Sequence, residues 1–190
     1  MKPGERLAGL APWLAASLIV AGIVHLGSIL LMPQVAPHDA FARLAAYFVD
    51  GGVRLLPSLE PGKEVLPFLD PAFAYAACGY DLAHGPLRLK ANLVQGPLVT
   101  ISFHSRHGVV FYAFTDRAAS RGSIDVLVLT AQQLADIEAQ DNEDEPPQEL
   151  RLLAPESKGF VLLRALARWP GEIAAAQARL AGIECSRQLP

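Results

Sequence analysis

Residues 10–32 read LAPWLAASLIVAGIVHLGSILLM, an apolar stretch that contains no Asp, Glu, Lys or Arg. As a helix with a rise of roughly 1.5 Å per residue it is about 33 Å long, which matches a hydrocarbon core of about 30 Å. This stretch therefore predicts a membrane-spanning helix. The chain that follows, from about Pro33, is polar enough to be soluble and must lie on one side of the membrane. The sequence accordingly predicts a globular domain that is tethered to a membrane.

The charges that flank the stretch predict its orientation. Lys2 and Arg6 precede it, and the first basic residue after it is Arg43. The positive-inside rule places the amino terminus in the cytoplasm and the bulk of the chain outside. The alternative is a cleaved signal peptide, whose apolar core spans about 7 to 15 residues before small residues at the cleavage site. The apolar run is longer than that, and the residues at 33–36 fit such a site poorly, which favours an uncleaved anchor.

The chain is predicted to have four parts. These are a cytoplasmic tail over residues 1–9, the anchor over 10–32, an amphipathic helix with a proline-rich connector over 33–69, and a periplasmic β-rich domain over 70–190. The exported part, about 158 residues, is the size of one ordinary domain and can bury a core. The net charge is −3 and the basic residues are scattered, which argues against a nucleic-acid-binding surface.

One stripe of the anchor carries small and polar side chains. Ser17, Ala21, His25 and Ser28 follow one another at spacings of four, four and three residues. Small residues allow close packing of a second membrane helix, so the stripe predicts a partner-helix face. A histidine in hydrocarbon is costly and is by default a functional hypothesis. The alternatives for His25 are that it reaches headgroup water, or that it serves as a proton relay or metal ligand.

The only two cysteines, Cys78 and Cys185, both fall on the exported side. In an oxidising periplasm they can form a disulfide that closes a loop of more than one hundred residues. The alternative is a pair of buried thiols.

Local patterns predict the elements of the exported domain. Asp39 precedes an apolar helical face that starts at Phe41, and Gly51-Gly52 follows it. Val53 to Pro67 reads as an extended connector, and Asp70-Pro71 predicts a short helix to Ala77. The remaining predicted elements are a hairpin-like pair around 83–86, neighbouring strands at 98–103 and 109–115, strands at 124–129, 149–153 and 160–165, and helices at 130–139 and 171–181. Together they predict an α+β fold in which a mainly antiparallel, sandwich-like β-sheet is flanked by helices.

Several short motifs resemble those of a known family. Asp70-Pro71, Cys78, Tyr80-Asp81-Leu82, Gly85-Pro86 and Cys185, together with the anchor residues His25 and Pro33, resemble the short membrane-anchored bacterial proteins of the domain-of-unknown-function family 1254. The resemblance implies a Gram-negative, alphaproteobacterial inner-membrane protein with a periplasmic β-rich domain. It also implies a companion protein from the sister family 1214. Similar sequences often have a basic residue after the first cysteine, where this chain has Gly79. The family has no established reaction.

Four polar residues form the candidate cluster for chemistry: Asp81, His84, His104 and His107. Imidazole and carboxylate groups form zinc sites, but a spacing of three in a strand and turn does not place two rings on one face. Exposed turn histidines are the favoured alternative, and we predict no metal, cofactor or catalytic residue. The chain lacks a Gly-x-Ser-x-Gly motif and a glycine-rich phosphate loop.

The sequence therefore supports two classes of function. The first is a non-enzymatic periplasmic interaction or scaffold module, partnered through its anchor and a sheet edge by the companion protein or by a second copy. The second is an envelope enzyme or ligand-binding domain that acts on glycan or lipid, which requires convergent polar side chains in a pocket. A small-molecule sensor would require an apolar cavity.

Overall fold

The protein is described by a computed structural model over residues 3–35, 39–48, 52–60, 62–93, 96–119, 122–141 and 147–188. The chain divides into two compact units, Met1–Pro37 and His38–Pro190. Helix α1, Pro3–Val35, makes up the first unit. Its segment Leu10–Met32 is 0% buried, and it is the one helix in the described ranges that is long and apolar enough to cross a membrane. The predicted anchor is thus a single continuous helix, which indicates association with a membrane.

The second unit is an α+β domain, as the sequence predicts. A five-stranded sheet has the order β1-β2-β8-β4-β5, and a four-stranded sheet has the order β7-β6-β3-β9. All neighbouring strands are antiparallel except β6 and β7. The strands are β1 Arg54–Leu55, β2 Phe73–Asp81, β3 Leu87–Asn92, β4 Val99–Ser105, β5 Val110–Thr115, β6 Ser123–Leu129, β7 Leu150–Leu153, β8 Lys158–Leu166 and β9 Glu184–Arg187. The helices are α2 Ala40–Leu44, α3 Ala131–Glu138 and α4 Ile173–Ala181.

The main core lies between the two sheets. Alternate residues of β4, such as Val99, Ile101 and Phe103, are 0% exposed and pack against residues of the four-stranded sheet, such as Leu89 and Val126. Helix α4 closes the same core with Ala176 and Leu180. Because successive strand residues point to opposite faces, every second residue of β4 and β8 faces this core.

A second core covers the outer face of the five-stranded sheet. Leu44 of α2 and the connector residues Leu56 and Leu66 are buried there against Tyr75 of β2 and Phe160 of β8. The sequence predicts an amphipathic helix and a proline-rich connector over 33–69. The described residues of this segment, from 39 onward, pack on the sheet, because the apolar face of α2 and the connector leucines have an apolar sheet face to bury.

A disulfide joins the two sheets. Cys78 of β2 and Cys185 of β9 are bonded, with a distance of 6.6 Å between their Cα atoms. This is one of the two alternatives that the sequence left open. Both residues are almost completely buried in the main core, so the bond fixes one edge of the sandwich.

Capping and turn signals predicted several elements correctly. The Asp39 carboxylate accepts a hydrogen bond from Ala42 N, 2.8 Å away, and caps α2. Thr130 and Gln133 form the predicted capping box of α3. The predicted neighbours at 98–103 and 109–115 are the antiparallel strands β4 and β5. Helix α2 is shorter than predicted, because its last turn tightens into a 3₁₀ helix, Ala45–Tyr47. Gly51 of the predicted helix end lies outside the described residues.

Two local predictions were wrong. Asp70-Pro71 does not begin a helix: the Asp70 carboxylate accepts from Ala72 N, and the chain then enters β2 at Phe73. The hairpin around 83–86 is instead a crossover between the sheets, since β2 pairs with β8 and β3 pairs with β6 and β9. Strand β2 is buried on both faces, so its sequence lacks the alternation that distinguishes a strand from a helix.

Candidate functional site

The structure separates the four residues of the predicted polar cluster into different environments. His84 Nδ1 lies 3.6 Å from Asp81 Oδ2, so these two residues are neighbours. His107 Nδ1 lies 2.9 Å from Glu156 Oε1 at the turn between β4 and β5. His104 lies on the outer face of β4, stacked on Phe160 with 4.6 Å between ring centroids. Within the described ranges, no group of three or more His, Cys, Asp or Glu side chains is arranged to hold a metal ion.

His104 forms a pair with Ser102 that the sequence reasoning missed. The Ser102 hydroxyl oxygen lies 2.9 Å from His104 Nε2, and His104 Nδ1 lies 3.2 Å from the Gly108 carbonyl oxygen. Burial lowers the pKa of His104, so we assign the neutral tautomer in which Nδ1–H donates to Gly108. The sequence did contain a signal for this pair. Ser102 and His104 are two positions apart, and residues at that spacing lie on one face of a strand. Ser102 is only 6% exposed, so its hydroxyl is a poor nucleophile for a substrate from solvent.

The burial of His104 predicts a loss of stability in mild acid. The folded state holds this imidazole neutral, so the pKa is higher in the unfolded chain, near the ordinary value of about 6.5. The unfolded state therefore binds the proton more tightly, and the stabilisation present above that value is lost as the pH falls towards the pKa of the folded state. We expect the free energy of unfolding, measured by urea titration, to fall less between pH 7.5 and pH 5 in His104→Asn than in the wild type. Equal slopes for both proteins would contradict this assignment.

A pocket lies beside the disulfide in the second unit. It has a volume of about 250 Å³. We call it the disulfide pocket and define it by its lining residues: Phe41, Phe48, Cys78, Gly79, Tyr80, Asp81, Gly85, Pro86, Leu87, Lys158 and Arg187. It lies where the end of β2, the crossover to β3, the start of β8 and the end of β9 meet. Of the predicted cluster, only Asp81 lines it.

Two glycines determine the walls of the disulfide pocket. A Cβ atom at Gly79 would overlap the ring of Phe48, so the absent side chain lets this ring lie directly on β2. Phe48 in turn packs edge-on against Phe41, with 5.1 Å between ring centroids. Gly85 has a φ of +127°, and a Cβ there would lie 2.7 Å from the Gln188 carbonyl oxygen. The crossover can therefore approach the end of β9 only with glycine at this position.

Charged groups lie on the lining of the disulfide pocket. Asp81 of β2 and Lys158 of β8 are opposite each other in neighbouring strands, and Lys158 Nζ lies 3.1 Å from Asp81 Oδ2. Burial raises the pKa of Asp81, but the hydrogen bonds from Lys158 and Ala83 N outweigh it and hold the pKa below its usual range. Asp81 is therefore ionised at neutral pH. Arg187 of β9 also lines the pocket.

Exposed aromatic side chains lie at one end of the five-stranded sheet. Phe68 is fully exposed and has a φ of 61°, a conformation that bulky side chains rarely adopt. Trp169 is 70% exposed. Backbone hydrogen bonds from Ala167 N to Ala72 O and from Leu166 N to Leu98 O, both 2.8 Å, place these loops and the half-exposed Leu98 at the same end. We call this surface the aromatic end. It consists of the two aromatic residues Phe68 and Trp169 and the neighbouring Leu98.

The opposite end of the same sheet holds the first described residue of the second unit. Asp39 pairs with Arg106 of the turn between β4 and β5, with 2.5 Å between Oδ2 and Nη1. The Arg106 guanidinium also lies over the Phe41 ring, 4.3 Å from its centroid, and Arg106 N donates to Glu156. These contacts fix α2 on the sheet.

The predicted partner face of α1 lies on an exposed helix surface. The hydroxyl of Ser17 donates to Leu14 O at 2.9 Å and that of Ser28 to Val24 O at 2.8 Å. Both hydroxyls are therefore satisfied within the helix, as a lipid environment requires. Ala21 and His25 lie on the same stripe as the two serines. A partner helix for this face remains a prediction.

Comparisons with known proteins give only structural likenesses. No protein-family model and no curated protein matches the chain. The VPA0106 protein from Vibrio parahaemolyticus is similar over 64% of this chain and 29% of its own, with 13% identity and a TM-score of 0.48. An uncharacterised protein from Burkholderia cenocepacia is similar over 69% of this chain and 34% of its own, with 14% identity and a TM-score of 0.43. The chain thus spans about a third or less of the length of each structure.

Proposed function

We propose that the chain is an inner-membrane-anchored interaction or scaffold module of the bacterial cell envelope, with its folded domain in the periplasm. The supporting observation is α1, whose 23-residue apolar segment is 0% buried. An exposed apolar surface of that size requires lipid or a partner to cover it. The disulfide between Cys78 and Cys185 supports an oxidising compartment for the domain.

The aromatic end supports binding of another protein. Trp is among the side chains that most often contribute large shares of binding energy at protein interfaces, and Phe is enriched in the cores of such interfaces. Here Trp169 is 70% exposed, and Phe68 is fully exposed in a backbone conformation that costs stability. On the motifs described above we also propose membership of the domain-of-unknown-function family 1254, with a protein of the sister family 1214 or a second copy as the partner.

A ligand-binding domain acting on glycan or lipid is the second candidate function. The disulfide pocket favours it, because aromatic walls and charged groups converge there in one concave site. The proposal assigns no catalytic residue.

One crosslinking experiment tests location and partner together. Spheroplasts that contain the full chain are treated with a membrane-impermeant lysine crosslinker, which reaches lysines only on the periplasmic side. We expect crosslinked complexes that remain in the washed membrane fraction. Their yield should fall about tenfold when residues 10–32 are replaced by an unrelated membrane helix, or in Phe68→Ala/Trp169→Ala, since each removes part of the interface.

The matched control is Leu150→Ala/Leu153→Ala, which removes two exposed apolar side chains of β7, at the edge of the other sheet. We expect its complexes to form at wild-type yield. Protection of every lysine from the reagent would contradict the periplasmic location. A chain recovered from the soluble fraction would contradict the anchor, and equal yields for all variants would contradict the interaction surfaces.

A further inference from the structure

We propose that Arg164 anchors a binding site for a phosphoryl group on the outer face of the five-stranded sheet. This inference goes beyond the interaction function and does not depend on a protein partner, since it concerns a small anion. It is argued from an arginine without a counterion, from a buried donor without an acceptor and from two hydroxyls in the same row of the sheet.

Arg164 of β8 is a half-buried cation. Its guanidinium lies over the Phe73 ring, 5.9 Å from the centroid. Its Nε is buried and has no hydrogen-bond partner, and no carboxylate of the described residues forms an ion pair with it. A guanidinium stays charged throughout the ordinary pH range and is a strong, directional hydrogen-bond donor. The chain therefore holds in place a charged donor whose binding capacity it does not itself use.

The charge of Arg164 acts on groups in the strands on both sides of β8. Burial is the main cause of the lowered pKa of His104 in β4, and the Arg164 charge lowers it further. Burial raises the pKa of the Tyr75 hydroxyl in β2, and the Arg164 charge opposes this. The positive charge is therefore felt across this face of the sheet, where an anion would meet it.

The strand register places two hydroxyl groups beside Arg164. Arg164 is opposite Thr100 of β4, and Thr100 is opposite Thr115 of β5. All three side chains lie on the outer face, since the alternate residues of β4 and β8 face the main core. Neighbouring strands are roughly 4.8 Å apart, so a ligand at the guanidinium can also contact Thr100. Both threonines are half-buried and the adjacent Ala113 is exposed, so the row is open to solvent on the β5 side.

This set of donors suits a phosphoryl group. A phosphate monoester offers three acceptor oxygens and nearly two negative charges, whereas a carboxylate offers two oxygens and one charge. The two Nη groups of Arg164 and the Thr100 hydroxyl can thus each donate to a different phosphate oxygen. The fork of a guanidinium also matches phosphate geometry, and such charge-assisted hydrogen bonds are the stronger ones. A soluble phosphate ester and the headgroup of a lipid both present this group.

The test is a phosphorus NMR titration of the full chain in maltoside micelles, which contain no phosphate. The probes are glycerol 3-phosphate and the short-chain lipid dihexanoyl phosphatidate, with acetate as the competing carboxylate. We expect saturable binding of glycerol 3-phosphate with a Kd on the order of 1 mM, and competition by acetate at least about fivefold weaker. Tighter binding of the phosphatidate would identify a lipid headgroup as the ligand, and equal binding a soluble ester.

Two variants remove the donors one at a time. Arg164→Gln should weaken binding of glycerol 3-phosphate at least about tenfold, because it removes the charge and the fork. Thr100→Val should weaken it severalfold, since valine has the same shape without the hydroxyl, and Thr100→Ser should bind as the wild type does. The comparison of valine with serine does not depend on how Arg164→Gln affects folding.

The matched control is Arg168→Gln, which makes the same change of charge at an exposed arginine four positions further along the chain. We expect it to bind glycerol 3-phosphate as the wild type does. Equal effects of Arg164→Gln and Arg168→Gln, equal binding by Thr100→Val and Thr100→Ser, or no saturation below about 10 mM would overturn the proposal. Competition by acetate as strong as by inorganic phosphate would overturn the assignment of a phosphoryl ligand.

Discussion

Replacement of both cysteines, Cys78→Ala/Cys185→Ala, is expected to lower the free energy of unfolding by about 4 kcal/mol. The bridge spans 107 positions of sequence, and loop-entropy models give about 4.7 kcal/mol for a loop of about 100 residues. It also joins β2 of one sheet to β9 of the other, and β9 contributes only four residues, Glu184–Arg187, to its sheet. Without the bond, the edge of the sandwich beside the disulfide pocket is held only by the pairing of β9 with β3 and by packing.

Urea unfolding of the full chain in detergent micelles, followed by near-ultraviolet circular dichroism, measures this effect. The wild type with reductant should unfold at the same urea concentration as the double variant. The double variant provides the control, since reductant should leave it unchanged. A wild type that unfolds identically with and without reductant would show that the bond contributes nothing to stability.

The elements that were predicted correctly depend on short-range interactions. Asp39 caps α2 through a residue three positions on, and Thr130 caps α3 with Gln133 at the same spacing. The pairing of β4 with β5 needs only the short turn between them. In each case the residues that form the contact are visible in a window of a few positions, so the sequence alone is sufficient.

The elements that were predicted wrongly depend on distant partners. Strand β2 pairs along its whole length with β8, so that Phe73 faces Leu166 and Asp81 faces Lys158. The main core covers one face of β2 and the second core covers the other, so the segment is apolar on both faces. Its pairing with β8 overrides the helix signal of Asp70-Pro71. The same long-range pairing turns the expected hairpin into a crossover, because β3 finds its neighbours in β6 and β9.

The disulfide pocket could be predicted only in part for the same reason. The motifs noted in the sequence include Cys78, Asp81 and Gly85-Pro86, all from the end of β2 and the crossover. Its aromatic wall comes from α2 and the residue after the following 3₁₀ turn, and its cations come from β8 and β9. No spacing in the sequence brings Lys158 and Arg187 to one site. That juxtaposition requires the two sheet orders, which local patterns do not contain.

Substitution of Gly159 tests the tightest packing in the five-stranded sheet. Gly159 is the second residue of β8 and lies between two strands, facing Tyr80 of β2 on one side and Ser105 of β4 on the other. A Cβ atom at this position would overlap the His104 carbonyl oxygen and the Tyr80 hydroxyl, which donates a hydrogen bond to that carbonyl at 3.0 Å. Since one of these atoms belongs to the backbone of a paired strand, it cannot move aside cheaply. We expect Gly159→Ala to lower the free energy of unfolding by about 3 kcal/mol.

The matched control for this substitution is Gly171→Ala, since a Cβ at Gly171 meets no atom within 4 Å. Its free energy of unfolding in the same urea titration should stay within about 0.5 kcal/mol of the wild type. Tyr80→Phe/Gly159→Ala removes the overlap with the hydroxyl and leaves those with the His104 carbonyl oxygen and with the ring carbon Cζ at position 80, which lies 2.5 Å from the added Cβ. This double variant should therefore be less destabilised than the sum of the two single variants, yet remain less stable than Tyr80→Phe. Equal stabilities of Gly159→Ala and Gly171→Ala would contradict the close approach of β2, β4 and β8 at this position.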